Sequence, residues 1–491
     1  MNREKLFRIA LGLCMWLILA TAVSAQQNQD GNHLVFLPLI MKNGCDFFIE
    51  TNVDKADMRT DYKEVKPGDT VCIRAGKRDK LALHNFQGTP ERPIYFRNFG
   101  GKVIFNKTNN VALRVRNGRY LHISGSGEPS VKYGFLVDGT YVSGVRLNEK
   151  SSDIELHHFE ITNTTGAAIM AKTEPTCSDG SNNAYDFDGD GKEKNDLDDI
   201  VNRDTFRQYN TILHDNYLHN VGHEGFYVGG SHFEEGQTFS CKSGTETVLE
   251  PLLEGVRIYN NVIEDAGWDG LQVSATVEGT CEIFNNRIYR DSLEMNDNQR
   301  SSIGNGKGGI CDIYGNFIKD GTSKGIRLYL YGNVNIYNNV IINAGQGSNK
   351  DGTGIWIFEN FGDIEKNANI FNNTIVNPSA YGIRVDAKKI AGGNIVNNII
   401  VSPGFLNEFG DDAYISIFRD GRVKDSHNLT TPQLSLPKFT NPAADDYSLK
   451  PNSPAIDAGV SISDFNLNLD FLGNDRPHGD KHDIGAYEFN Q

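Results

Sequence analysis

Acidic residues outnumber basic ones by 63 to 48, which leaves a formal charge of −15. A chain so short of positive charge is poorly equipped to neutralise the phosphates of a nucleic acid or the headgroups of an anionic membrane. Proline is scarce, at 15 residues against 51 glycines, the balance of a turn-rich folded chain rather than a disordered one. Past the first 25 residues no apolar run is long enough to span a bilayer. There is no Cys-x-x-Cys and no local Cys/His cluster, so the spacing of a structural zinc site is missing.

What is present begins with an export signal. Arg3, Lys5 and Arg8 precede an apolar stretch from Ile9 to Ala20, and Val23-Ser24-Ala25 stands before Gln26. This predicts a secreted, extracellular protein with residues 1–25 as the signal. Cys45, Cys72, Cys177, Cys241, Cys281 and Cys311 then remain, an even count that suits disulfides in an oxidising compartment. The count alone permits many pairings. Cys281 and Cys311 hold equivalent places in neighbouring repeats, Cys177 and Cys241 both fall in insertions, and Cys45 and Cys72 bracket the first segment. Those three pairs are expected.

The repeats dominate the second half. VRIYNNVIEDAGWDGLQV starts at Val256, CEIFNNRIYRD at Cys281 and CDIYGNFIKDGTSKGIRL at Cys311. VNIYNNVIINAGQ follows at Val334, ANIFNNTIVNPSAYGIRV at Ala368 and NIVNNIIV at Asn394. Short β-branched runs broken by Asn and Gly are strand and turn signals. Their recurrence predicts a solenoid of stacked coils. Asn261, Asn286, Asn316, Asn339, Asn373 and Asn398 should share one corner, where Asn tolerates a left-handed bend and its amides can stack along the axis.

Two flanking motifs carry a resemblance. Lys66-Pro67-Gly68-Asp69-Thr70-Val71 leads to Gly88-Thr89 and Pro93-Ile94-Tyr95-Phe96. Pro451-Asn452-Ser453-Pro454-Ala455-Ile456-Asp457 precedes Asp483-Ile484-Gly485-Ala486-Tyr487-Glu488. These resemble the entry and closing segments of bacterial extracellular right-handed parallel β-helix repeat proteins, the pectate-lyase-like superfamily. The resemblance spans roughly residues 60–490 and implies an all-β, right-handed parallel β-helix with a C-terminal cap. It also implies carbohydrate chemistry, since many members are polysaccharide lyases, although no catalytic signature is matched residue by residue. The expected division is a leader over 26–60, the β-helix over 61–430 with insertions at 173–208 and 232–253, and a cap over 431–491. The cap should close the last open coil, with its charges in structural ion pairs.

One phrase, Gly-apolar-x-apolar, recurs at Gly166, Gly225, Gly270, Gly325, Gly354 and Gly382. Period-2 alternation sends the x residues outward. They include Tyr227, Gln272, Arg327, Trp356 and Arg384, followed two places on by Gly229, Ser274, Tyr329, Phe358 and Asp386. Aromatic faces and guanidinium forks in one strip suit an acidic sugar chain; an ordinary polar exterior is the bland reading. Before the glycines stand Glu224, Asp269, Lys324, Thr353 and Tyr381, with His223 and Trp268 one place earlier. In adjacent coils, Glu224 and Asp269 would lie about 5 Å apart, sharing a proton or holding a cation. A lyase would use His223, Lys324 or Arg327 as base, and a hydrolase would use the two carboxylates.

Asp186, Asp188 and Asp190 with Gly191 follow the spacing of a calcium loop, although Leu197 replaces the usual twelfth ligand. Calcium, structural or catalytic, is therefore expected. His157, His158, His214 and His219 read as structural. The leading expectation is a monomeric, calcium-assisted lyase on an acidic polysaccharide. A glycoside hydrolase on the same scaffold and a non-catalytic glycan-binding surface protein are the alternatives.

Overall fold

The computed structural model describes residues 44–491, apart from 183–184, 188–189, 193–196, 198, 347–350, 359–365, 388–389, 418–421, 466 and 491. The expected signal and part of the expected leader, residues 1–43, lie outside the described residues.

Each coil contributes three short strands. In one coil these are Val256–Tyr259, Val262–Ala266 and Leu271–Val273. The first two kinds of strand join a 23-stranded sheet and the third a 12-stranded sheet. Pairing between coils is parallel and in register: Ile258 sits beside Ile283, and Leu271 beside Ile303. The inward positions are almost all Ile, Leu, Val or Phe and are fully buried, forming one continuous core along the axis. Stacking starts before residue 61, because Phe47–Ile49 pairs with the strand Thr70–Arg78 and Lys55–Asp57 with Leu81–His84.

The Asn corner divides its labour between two positions. The second residue of each pair forms the ladder: Asn216, Asn261, Asn286, Asn316, Asn339, Asn373 and Asn398 each pass an Nδ2 hydrogen to the next Oδ1 at 2.9–3.0 Å, and Asn428 Oδ1 is the last acceptor. The left-handed bend falls one residue earlier, on Asn260, Asn285, Asn338, Asn372 and Asn397, with Asp215, Gly315 and His427 in the other three coils. One residue could not do both, since a ladder amide must point inward while its neighbour turns the chain.

All three expected disulfides are formed: Cys45–Cys72, Cys177–Cys241 and Cys281–Cys311. The second ties the two insertions together, and Arg207–Tyr209 pairs with Leu252–Glu254 where they rejoin the stack. Within the C-terminal segment, Arg476 Nε and Glu488 Oε2 form an ion pair at 3.1 Å with both side chains wholly buried, the structural role anticipated for its charges. Its position differs from a lid over the last coil. Phe439, Tyr447, Leu449, Ile484 and Tyr487 pack against Phe317, Val340, Val376 and Val401. Those strands belong to successive coils, so the segment lies along the flank of the stack and covers their apolar outer side.

Candidate functional site

The outward residues of the 12-stranded sheet form one unbroken column. It runs Lys55, Ala82, Arg114, Arg146, Met170, Tyr227, then Gln272, Gly304, Arg327, Trp356, Arg384 and Ser416. Sequence alignment of the coils skipped one member. Ser301–Asn305 lies between the Gln272 and Arg327 coils, opening with serine rather than glycine and following the long loop 290–300. It also began too late: Gly144-Val145-Arg146-Leu147 fits the same phrase, and Arg114 stands one coil earlier.

Trp356, Arg384 and Asp386 form a tight group. The Trp356 Nε1–H donates to Asp386 Oδ2 at 2.9 Å, Arg384 Nε donates to Asp386 Oδ1 at 3.0 Å, and the guanidinium lies over the Trp356 and Tyr381 rings. Phe358 contacts both Trp356 and Tyr329 edge to face. Tyr227 donates its hydroxyl hydrogen to Ser231 and carries the Lys172 ammonium 4.9 Å from its ring. Gln272 is buried, accepting from Gln299 Nε2 at 3.0 Å, and Arg327 donates to the Asn298 carbonyl at 2.6 Å. The loop 292–300 therefore crosses the sheet above Gln272 and Arg327.

Beneath this column lies the row Glu224, Asp269, Ser301, Lys324, with Glu224 and Asp269 in adjacent coils. All four side chains are buried. Asp269 Oδ1 accepts from the Ser301 backbone at 2.6 Å and from its hydroxyl at 2.8 Å, while Oδ2 has no hydrogen-bond partner among the described residues. Glu224 Oε1 also lacks one. Burial pushes the Glu224 carboxyl up to about 8, with Asp269 adding to the rise and Lys172 opposing it. Burial likewise pushes Asp269 up to about 6 against the pull of Arg327 and Ser301. Lys324 pairs with Asp351, which also pairs with Arg300 at 3.2 Å, and its ammonium lies 5.3 Å from the Trp356 ring centroid. Burial lowers the pKa of Lys324.

The rim groups thus meet the column: Glu224 with Tyr227 and Lys172, Asp269 with Arg327, Lys324 with Trp356. His223 takes another environment. Its ring stacks on Trp268 at 3.6 Å, and the Trp268 indole N–H donates to Glu294.

In the insertion, Asp186 Oδ2 accepts the Gly191 N–H at 3.0 Å and Gly191 has φ +90°, the turn of a calcium loop at its sixth position. Asp188 lies outside the described residues. Leu197 is 65 % exposed, and the buried carboxylate near the loop's end is Asp199, accepting the Phe187 N–H at 2.8 Å. Asp186 and Asp190 face protein cations, Arg59 and Lys192. A bound ion would have to displace both.

Residues 252–417 match the family described as right handed beta helix region. The stack is a right-handed parallel β-helix. Solved structures similar to it include pectate lyase Pel9A, at 12 % identity over 91 % of this chain and 97 % of that one, with a TM-score of 0.42. An alginate lyase from Paenibacillus sp. str. FPU-7 is 14 % identical over 66 % of this chain and 93 % of its own, with a TM-score of 0.41. The GH136 lacto-N-biosidase from Eubacterium ramulus is 13 % identical over 79 % and 68 %, at 0.46. No curated protein matches the chain in sequence. Among the described residues of this β-helix, no helix is long and apolar enough to cross a membrane.

Proposed function

We propose that the 12-stranded face binds an acidic polysaccharide and that the chain cleaves it by elimination. The observation that carries this is the charge of the outward column. Five of its twelve members are cations (Lys55, Arg114, Arg146, Arg327 and Arg384) and none is an acid. On a protein of charge −15 such a row is selective for a polyanion, and Trp356 and Tyr227 supply faces for sugar rings. The proposed substrate contacts are Tyr227, Gln272, Tyr329, Trp356, Arg384 and Asp386.

In this reading Arg327 neutralises the uronate carboxylate, which acidifies the neighbouring C–H. Lys324, its pKa lowered by burial, removes that proton. The bond to the leaving sugar oxygen then breaks, that oxygen takes a proton from water to become a hydroxyl, and a double bond conjugated with the carboxylate remains. Calcium fits beside this step, because Glu224 Oε1 and Asp269 Oδ2 are buried oxygens in adjacent coils without hydrogen-bond partners among the described residues; when bound, it would supply positive charge for the developing enolate. The Asp186–Asp190 loop is proposed as a separate structural calcium site. The three disulfides suit export into an oxidising compartment.

A second reading rests on Glu224. A carboxyl pushed up to about 8 stays protonated at neutral pH, as a hydrolase's general acid must, with Asp269 as its partner.

Turnover on a panel of acidic and neutral polysaccharides, with calcium and with chelator, separates these. Ultraviolet absorbance growing with new reducing ends supports elimination, and new ends without absorbance support hydrolysis. Binding without either leaves only the glycan-binding face.

A further inference from the structure

A second cluster of chemical groups lies on the outer face of the 23-stranded sheet, away from the column just described. His122, Glu155, His157 and His214 come from three strands in successive coils: Arg119–Ser124, Ser152–His157 and Thr211–His214. Register places Glu155 beside His122 and His157 beside His214. We infer that Glu155, His157 and His214 form a binding site for a divalent transition-metal ion of the zinc, nickel or copper class.

Three observations support the assignment. The ligand atoms of these residues all lie within 4.8 Å of one another, whereas donors on one tetrahedral ion stand about 3.4 Å apart, so small side-chain rotations close the site. The imidazoles are also oriented from behind. His214 Nδ1 meets Asp215 Oδ2 at 2.6 Å, which leaves Nε2 directed at Glu155 Oε1, 2.9 Å away. His157 Nδ1 meets His158 Nδ1 at 2.6 Å, which leaves the His157 Nε2 to the cluster. A carboxylate behind a ligating imidazole is the outer-shell arrangement that fixes its tautomer. Third, stacking keeps the two imidazoles side by side: His157 stacks on His214 at 4.6 Å, and His214 on Tyr259 at 4.7 Å, the first steps of a ladder through Phe284 and Tyr314 to Tyr337. Since a ring nitrogen's lone pair lies in the ring plane, the partly exposed His157 ring must tilt out of the stack for both nitrogens to meet one ion.

Chemistry chooses the class of ion. Two imidazole nitrogens and one carboxylate suit Zn2+, Ni2+ or Cu2+, while Ca2+ takes six or more oxygens. Binding replaces the proton shared by His214 Nε2 and Glu155 Oε1. Glu155 Oε2 keeps its contact with His122 Nδ1 at 3.1 Å, and Asp215 keeps the hydrogen on His214 Nδ1. Glu155 and His157 are partly exposed, so an ion can enter from solvent without opening the coil. This site is independent of the proposed cleavage site and uses none of its residues.

The test is calorimetric titration of the untagged, metal-free protein with Zn2+, and with Co2+ followed by visible absorption. One equivalent should bind, with d–d bands of a four- or five-coordinate cobalt centre, undiminished by millimolar Ca2+. Glu155→Gln, His157→Asn and His214→Ala should each weaken binding at least about tenfold, whereas His427→Ala on an exposed loop should not. Circular dichroism identifies any variant that misfolds, and the remaining ones then decide. Absence of saturable binding, or affinity unchanged in folded Glu155→Gln and His157→Asn, overturns the assignment.

Discussion

A Cβ placed on Gly304 would lie 3.0 Å from Asp269 Oδ2. Gly304 is the one gap in the column between Gln272 and Arg327, and the oxygen beneath that gap has no hydrogen-bond partner among the described residues. The notch therefore joins the cationic face to the buried carboxylate row. Gly304 is itself buried, so a substrate atom takes this route to Asp269 only when the 292–300 loop above Gln272 and Arg327 stands aside.

Gly304→Ala tests that route. The glycine is not in the left-handed region, so alanine brings no backbone strain, and the atoms nearest the new methyl belong to side chains, Asp269 Oδ2 at 3.0 Å, Ser301 Oγ at 3.1 Å and Asp269 Cγ at 3.4 Å. Turnover should fall about a hundredfold, the usual effect of misplacing a reacting group by an ångström, while the melting temperature moves by only a few degrees. A variant that keeps full activity removes the notch from the mechanism.

The raised carboxyls set the pH response of stability. Glu224 holds its proton in the folded chain up to about 8 and Asp269 up to about 6, whereas in the unfolded chain both ionise in the ordinary carboxylate range. The folded state then binds more protons, so these groups make the protein less stable as pH rises from about 4.5 towards 8, each tenfold difference in proton affinity between the two states being worth about 1.4 kcal/mol. Glu224→Gln, neutral at every pH, should flatten the upper part of this decline. Denaturation midpoints at pH 5, 6.5 and 8 measure it, and parallel curves for both proteins would refute the assignment of a protonated Glu224.

The coils were legible because their signals are local. An Asn pair, a glycine and alternating Ile or Val mark strand, corner and strand within about twenty residues, and so the parallel stack, the ladder and the Cys281–Cys311 bridge could be anticipated. The Ser301–Asn305 coil was hidden by its serine opening and by the 292–300 loop, which also buries Gln272 and contacts Arg327. No local spacing could reveal the histidine cluster, because His122, Glu155 and His214 meet only through interstrand register. The flank position of the C-terminal segment was equally hidden. Val340 and Val376 look like core residues in sequence, yet they supply an outer surface that Tyr447 and Tyr487 cover.

The Asn ladder should be strongest in its middle. Asn316 Nδ2 donates to Asn339 Oδ1, Ile283 O and Tyr314 O, while its Oδ1 accepts from the Asn286 backbone and side chain. Asn316→Ala strands several buried polar groups at once, and each such group costs about 1–3 kcal/mol. At the end of the row, Asn428 donates to Ile395 O at 2.7 Å and its Oδ1 accepts from the Asn398 backbone and side chain, but Asn428 is partly exposed, so its removal opens those Asn398 donors to water. Asn316→Ala should accordingly lower stability by about 3 kcal/mol or more, and Asn428→Ala by about 1 kcal/mol. Urea denaturation of both variants decides it: equal losses would mean that the amides contribute corner by corner, not as a continuous buried chain.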